Sequence, residues 1–236
     1  MKKLAQICDG NEKRLYATDN PAVALVEFKD TAVSQHGLKR GVIEGKGSVN
    51  NRVSNCLMQL LEKNGIPTHY LEEISDRETL VRRVDMMPLR ITVRNVAAGH
   101  FAQRLGIPEG TPLTNPVIEC RYKSAELGDP LINEEHAQAL HLANKDLCDQ
   151  IVRASLRINE VLRKYFRELD IELIDFRLRF GLNAEGRLIL ADELSPDTCR
   201  LWDSDIHERL DKDRFRRDMS GAAEAYQELN RRVLGE

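Results

Sequence analysis

The chain has 236 residues, 42% hydrophobic and 31% charged, a balance that fits one large globular domain or two small lobes sharing a cleft. A formal net charge of −3 with only 5% aromatic residues argues against a nucleic-acid partner. No run approaches the roughly 18 apolar residues of a membrane span. Met1–Gly10 has no apolar stretch of the secretory kind, so the expected location is cytoplasmic, with no membrane partner. Cys8, Cys56, Cys120, Cys148 and Cys199 form no C-x-x-C pair, which favours reduced thiols over a disulfide scaffold or a zinc site.

In chain order, Asp9-Gly10-Asn11-Glu12-Lys13-Arg14 reads as a glycine turn opening a hairpin, with Lys13 placed as a point charge for phosphate. Ala22–Phe28 is an apolar run expected to be a buried strand. Val53, Leu57, Leu60 and Leu61 mark a helix over Val49–Asn64, with Gly65 where a C-terminal cap belongs. Leu80–Val84 and Arg90–Val93 are strands around Met86-Met87-Pro88, which makes the first part sheet-rich. Arg94 to His100 then follows a strand and precedes a short helix, Phe101–Leu105. Glycine there allows close approach to an anion, although a plain strand-to-helix turn accounts for the composition as well.

The second part is more helical. Lys145–Leu169 is amphipathic, two strands (Ile171–Phe180 and Arg187–Leu194) flank the turn Asn183 to Gly186, and a last helix is expected over Phe215–Leu234. Five Lys or Arg between Arg209 and Arg217 read as a solvated basic face. The expected fold class is α+β, with a sheet-rich lobe over 1–85, a larger lobe over 86–236 and a cleft between them.

Asp175, Asp192 and Glu193 stand out because carboxylates in apolar strands are costly unless paired or bound to a cation. They either hold Mg²⁺ or form ion pairs with Arg177, Arg179 or Arg187; composition leaves both open. Ser195 to Asp203 adds Arg200, whose planar fork suits phosphate or carboxylate, beside the only Trp.

Taken together, several segments resemble the SAICAR synthetase family over nearly the whole chain. They are Lys46-Gly47 with Asn50-Asn51, Gly65 to Thr68, Val93 to Gly99, Arg104 to Gly106, Tyr122-Lys123 with Gly128-Asp129-Pro130, Asp192 to Asp203, and Leu210 to Arg216. The resemblance implies a kinase-like ATP cleft and an ATP-dependent carboxylate–amine ligase. Such an enzyme phosphorylates carboxyaminoimidazole ribonucleotide on its carboxylate, and L-aspartate then displaces the phosphate. By position, Gly10, Lys13, Lys123 and Arg179 would meet ATP, and Asp192 would hold Mg²⁺. Arg94, Gly99, His100, Arg200 and Arg216 would bind the ribotide, and Asp175, Arg177 and Lys212 would serve the reacting groups. The partners implied are small molecules and further copies of the chain as a homo-oligomer.

Four places depart from the pattern the resemblance supplies. Asn11 and Glu12 stand for Lys and Ala; Arg177 and Arg179 stand for Lys and a metal-binding Glu; His100 stands for Ser; and Thr31 to His36 replaces a different loop. An arginine cannot bind a metal, so Arg179 implies an altered metal site, either one in which a guanidinium meets phosphate directly or one in which metal binding is impaired and catalysis lost. The departures also leave open a ligase of the same fold with another acid and amine, or a non-catalytic nucleotide-binding relative.

Overall fold

A computed structural model describes residues 1–34 and 37–235. The elements in order are β1 (Lys3–Asp9), β2 (Lys13–Thr18), β3 (Val23–Phe28), β4 (Thr31–Ser34), β5 (Lys39–Val42), α1 (Lys46–Lys63), β6 (Tyr70–Ser75), β7 (Glu78–Arg82), β8 (Asp85–Met86), β9 (Leu89–Val96) and α2 (Gly99–Leu105). They continue with β10 (Pro112–Tyr122), β11 (Leu131–Ile132), α3 (Glu134–Ala139), α4 (Lys145–Arg167), β12 (Ile171–Leu182), β13 (Leu188–Ala191), β14 (Cys199–Asp203), α5 (Asp213–Arg216) and α6 (Ala222–Leu234). Gln35 and His36 of the divergent loop lie outside the described residues.

Two antiparallel sheets carry the fold, which is α+β as expected. The first runs β1-β2-β3-β7-β6 and uses residues 3–82. The second runs β11-β10-β9-β12-β13, with β14 and β8 also paired to β12. Its inward face alternates Leu89, Ile91 and Val93 on β9 with Phe176 and Leu178 on β12, all 3% exposed or less. Ile151, Ile158 and Leu162 of α4 recur at helical spacing and close over that face. The opposite face of β9 presents Arg90, Thr92 and Arg94 to a cleft.

Two expectations change. The last helix is broken: α5 ends at Arg216, and Asp218 and Gly221 take left-handed φ values of 56° and 73° before α6 begins. A left-handed residue cannot continue a right-handed helix. And α1, counted with the sheet-rich part, buries Val49, Val53 and Leu57 in the same core as β12 and α6. The sheets divide near residue 85, but the main core crosses that point.

Candidate active site

The long strand β12 organises the cleft. Asp175 is in register with Arg94 of β9 on one side and Arg200 of β14 on the other. Cross-strand partners share a face, so the three side chains meet. Arg94 donates to Asp175 at 2.7 Å and to Glu119 at 2.7 Å. Arg200 donates to Asp175 at 2.6 Å and to Asp213 at 2.8 Å. Burial alone would pull Arg200 down, but Asp175 and Asp213 more than offset this and raise its pKa. Gly99 is left-handed (φ 55°), and a Cβ there would fall 2.7 Å from the Arg200 guanidinium, so the position needs glycine twice over.

Around this knot lies a cavity of about 340 Å³ lined by Arg90, Thr92, Arg94, His100, Arg121, Asp175, Arg177 and Arg200. It holds five arginines and one carboxylate. Among the described residues Arg177 has no side-chain hydrogen bond or ion pair. Burial and the neighbouring charges of Arg216, Arg200 and Arg90 all push its pKa down, yet a guanidinium stays protonated at neutral pH. The cavity therefore carries uncompensated positive charge.

A second cavity, about 430 Å³, lies further along β12, at Arg179. Ala24, Val26, Phe28, Met58, Val81 and Met86 give it an apolar wall, while Gly10, Lys13, Arg179 and Asp192 form its polar end. The β1–β2 turn is closed by the Gly10 amide donating to the Lys13 carbonyl at 2.9 Å. Lys13 in turn pairs with Asp192 and, at 3.0 Å, with Glu193. Burial lowers the Lys13 pKa, but the two carboxylates outweigh it and raise it. Burial pushes Asp192 up, and Lys13 overrides that to hold it below the usual carboxylate range. The Nε of Arg179 is buried without a partner, and its nearest carboxylate, Asp192, is 3.9 Å away. His69, also lining this cavity, is drawn down to about 4 chiefly by burial and is neutral at physiological pH.

The structure thus brings Gly10, Lys13, Arg179 and Asp192 to one cavity, and Arg94, His100, Asp175, Arg177 and Arg200 to the other. Strand β13 stops at Ala191, so Asp192 sits past its end with φ 64° instead of within it. Lys123 is not in the nucleotide-like cavity; it pairs with Asp129 at 3.1 Å, after Gly128 of the arginine-lined one. The Gly99 amide donates to Glu109 at 3.0 Å, a carboxylate that also pairs with Arg217. Lys212 and Arg216 line neither cavity. Lys212 contacts Glu12 of the first turn and Asp197 at 3.4 Å, and Arg216 donates to the Asp197 carbonyl at 3.1 Å.

Sequence reasoning missed Arg90, Arg121 and the fully buried pair Lys46–Asp197 at 2.7 Å. The alternation Arg90-Thr92-Arg94, polar at every second position of an apolar strand, was the available signal for Arg90.

One cavity has apolar walls and a cationic end and its neighbour along the same strand is lined by arginine, a pairing whose chemistry suits anionic ligands. Comparison with known proteins names the family. The SAICAR synthetase family model matches residues 6–233, and the chain belongs to that family. It is 52% identical over 233 residues to phosphoribosylaminoimidazole-succinocarboxamide synthase of Lachnoclostridium phytofermentans, covering 99% of each chain. The crystal structure of that synthase from Ehrlichia chaffeensis superposes with a TM-score of 0.96 at 38% identity, covering 98% of this chain and 99% of that one. A type-2 SAICAR synthetase in complex with ADP gives 0.94 at 41% identity, with 97% of each chain covered.

Proposed function

We propose that this chain uses ATP to join carboxyaminoimidazole ribonucleotide to L-aspartate, releasing ADP and phosphate. The observation that carries the reading is the spacing on β12. Arg177 lines the arginine-rich cavity and Arg179 the apolar-walled one, two residues or about 7 Å apart along a strand. A ribotide carboxylate in the first cavity and a nucleotide phosphate in the second would meet there.

The chemistry has two steps. A carboxylate oxygen attacks the γ-phosphorus of ATP, the bond to ADP breaks, and an acyl phosphate forms. The aspartate amine then attacks the acyl carbon, phosphate leaves with the bonding electrons, and the nitrogen gives up a proton. Positive charge must be fixed in place where phosphate charge develops. In this reading Lys13, Arg179 and the Gly10 turn hold the ATP phosphates. Arg94, Arg200 and His100 clamp the ribotide phosphate beside Gly99. Arg177 neutralises the acyl phosphate while Asp175 fixes Arg94 and Arg200. Lys212 and Arg216 tie the C-terminal segment to the turn at Glu12 and so close the cleft. Lys123 belongs with Asp129 on the ribotide side.

Mg²⁺ would be held here only together with nucleotide phosphates, not by protein ligands alone. Among the described residues no three His, Cys, Asp or Glu side chains converge as ligands. The carboxylate of Asp192 is already in contact with Lys13, with Arg179 nearby. No step is assigned to the metal. The five free thiols support a reducing, cytoplasmic setting, and a homo-oligomer follows the family.

The test is ADP release with Mg²⁺-ATP, the ribotide and L-aspartate, omitting each in turn. Turnover that requires all three is expected. ADP formation indifferent to ribotide and aspartate, or none with all present, would sink the reading.

A further inference from the structure

Lys13 is held by two carboxylates that are neighbours in the chain but are built in differently. Glu193 is buried, with its side chain 3% exposed and both oxygens engaged. Lys13 donates to Oε1 at 3.0 Å and the Ser195 hydroxyl to Oε2 at 2.6 Å. Ser195 is fixed in turn by the Asp197 amide, which donates to its hydroxyl oxygen at 3.1 Å, and Thr198 donates to the Glu193 carbonyl at 3.2 Å. Asp192 sits past the end of β13 on a left-handed backbone, with its side chain 21% exposed. Among the described residues Lys13 is the only hydrogen-bond donor to its carboxylate, and the next cation, Arg179, is 3.9 Å away.

The two acids also lie on different sides of the lysine. Asp192 lines the 430 Å³ cavity together with Gly10, Lys13 and Arg179, and Glu193 is no part of that lining. A phosphate that reaches Lys13 through the cavity therefore meets Asp192 first. Moving Asp192 aside returns a part-exposed carboxylate to water, where the pair it leaves is worth little. Pulling Lys13 off Glu193 would strand a buried charge, which is costly.

We propose that Asp192 is the carboxylate that gives way to the nucleotide phosphates, and that Glu193 is a positioning residue that keeps the Lys13 ammonium aimed into the cavity throughout. The proposal rests on the ligase reading above, which places nucleotide phosphates at Lys13, and it gives two adjacent acids opposite effects. Asp192 competes with phosphate for the ammonium, so neutralising it removes a rival. Neutralising Glu193 leaves Asp192 as the sole counter-ion and strengthens the pair that phosphate must break.

Isothermal titration with ADP and with adenosine tests it, in EDTA so that no metal ion takes part. The wild type is expected to bind ADP about tenfold or more tightly than adenosine, by the worth of a charged hydrogen bond. Asp192→Asn should bind ADP about tenfold more tightly than wild type, because a repelling charge is gone. Glu193→Gln, which keeps an acceptor for Ser195, should bind ADP about tenfold more weakly. Adenosine has no phosphate and should bind all three proteins alike, whereas a merely structural part for Glu193 would weaken adenosine together with ADP. Should Glu193→Gln not fold, the gain in Asp192→Asn decides by itself. Any other pattern, including ADP affinities that move the same way in both variants or not at all, overturns the inference and leaves the ligase reading standing. Wild type that binds ADP no more tightly than adenosine would instead overturn the ligase reading, and this inference with it.

Discussion

The two cavities along β12 both present cations, but they keep them in different states. In the apolar-walled cavity Lys13 already touches Asp192 and Glu193, so its charge is matched before any ligand arrives. In the arginine-lined cavity Arg94 and Arg200 share Asp175, whereas among the described residues Arg177 forms no ion pair and Arg121 reaches only a carbonyl. A phosphate entering the first must displace an internal carboxylate, which opposes binding and favours release. An anion entering the second meets charge that nothing else neutralises. The comparison teaches that the number of cations does not rank anion sites; the count of unmatched ones does.

The sharpest way to break the comparison is to remove a matched cation. Arg200→Ala leaves the buried carboxylates of Asp175 and Asp213 each short of one partner. The expected cost is about 3–5 kcal/mol of stability in urea unfolding, with ribotide affinity down at least tenfold. Unchanged affinity would mean that the ribotide phosphate binds elsewhere.

In the apolar-walled cavity, Arg179→Glu exchanges a guanidinium for a potential metal ligand beside Asp192. ADP binding by wild type should be nearly the same in Mg²⁺ and in EDTA. In the variant it should fall about tenfold or more in EDTA and recover with Mg²⁺, since a carboxylate pair holds the ion but repels bare phosphate. A metal titration identical for the two proteins would discard Arg179 as a direct phosphate ligand.

A smaller perturbation leaves every charge in place. Gly99→Ala puts a Cβ against the Arg200 guanidinium on a left-handed backbone, at an expected cost of about 1–2 kcal/mol. Ribotide binding should weaken while ADP binding holds, because the clash lies in one cavity only. Equal loss of both would show that the two cavities are not independent.

What was legible in the sequence was mostly local. The strand expected over Ile171–Phe180 and found to Leu182, the helix expected over Lys145–Leu169 and found to Arg167, and the Gly10 turn follow from periodicity and turn residues within a short window. The break in the last helix, at left-handed Asp218 and Gly221, does not show in the apolar spacing of Phe215–Leu234. Site partners were another matter. Asp175 meets Arg94 from 81 residues away, and Lys46 meets Asp197 across 151. Strand register decides the first of these contacts, and a shift of one residue would turn Asp175 to the opposite face. Motif resemblance supplied Arg94 and Arg200 because it encodes that register indirectly; it named neither Arg90 nor Arg121.

A third setting, a solvent-facing ion pair, marks the lower end of the scale. On α6, Glu228 accepts from Arg231 at 2.8 Å and Arg232 at 2.7 Å, and its side chain is about one-third exposed. Hydrogen bonds from those two arginines hold its carboxyl at about 2, against an ordinary value of 4.5. A depressed folded-state pKa means that the unfolded chain takes up the proton first. The stabilisation is complete above pH 4.5 and is lost as pH falls toward about 2. Solvent screening limits it to a few tenths of a kcal/mol at neutral pH. Glu228→Gln should therefore unfold slightly earlier in urea at pH 7, the gap closing near pH 2 and shrinking in 1 M salt. A gap independent of pH and salt would mean that packing along the helix, not charge, sets the worth of this residue. The matched pairs of the cavities would then have to be weighed again without it as their solvent-exposed reference.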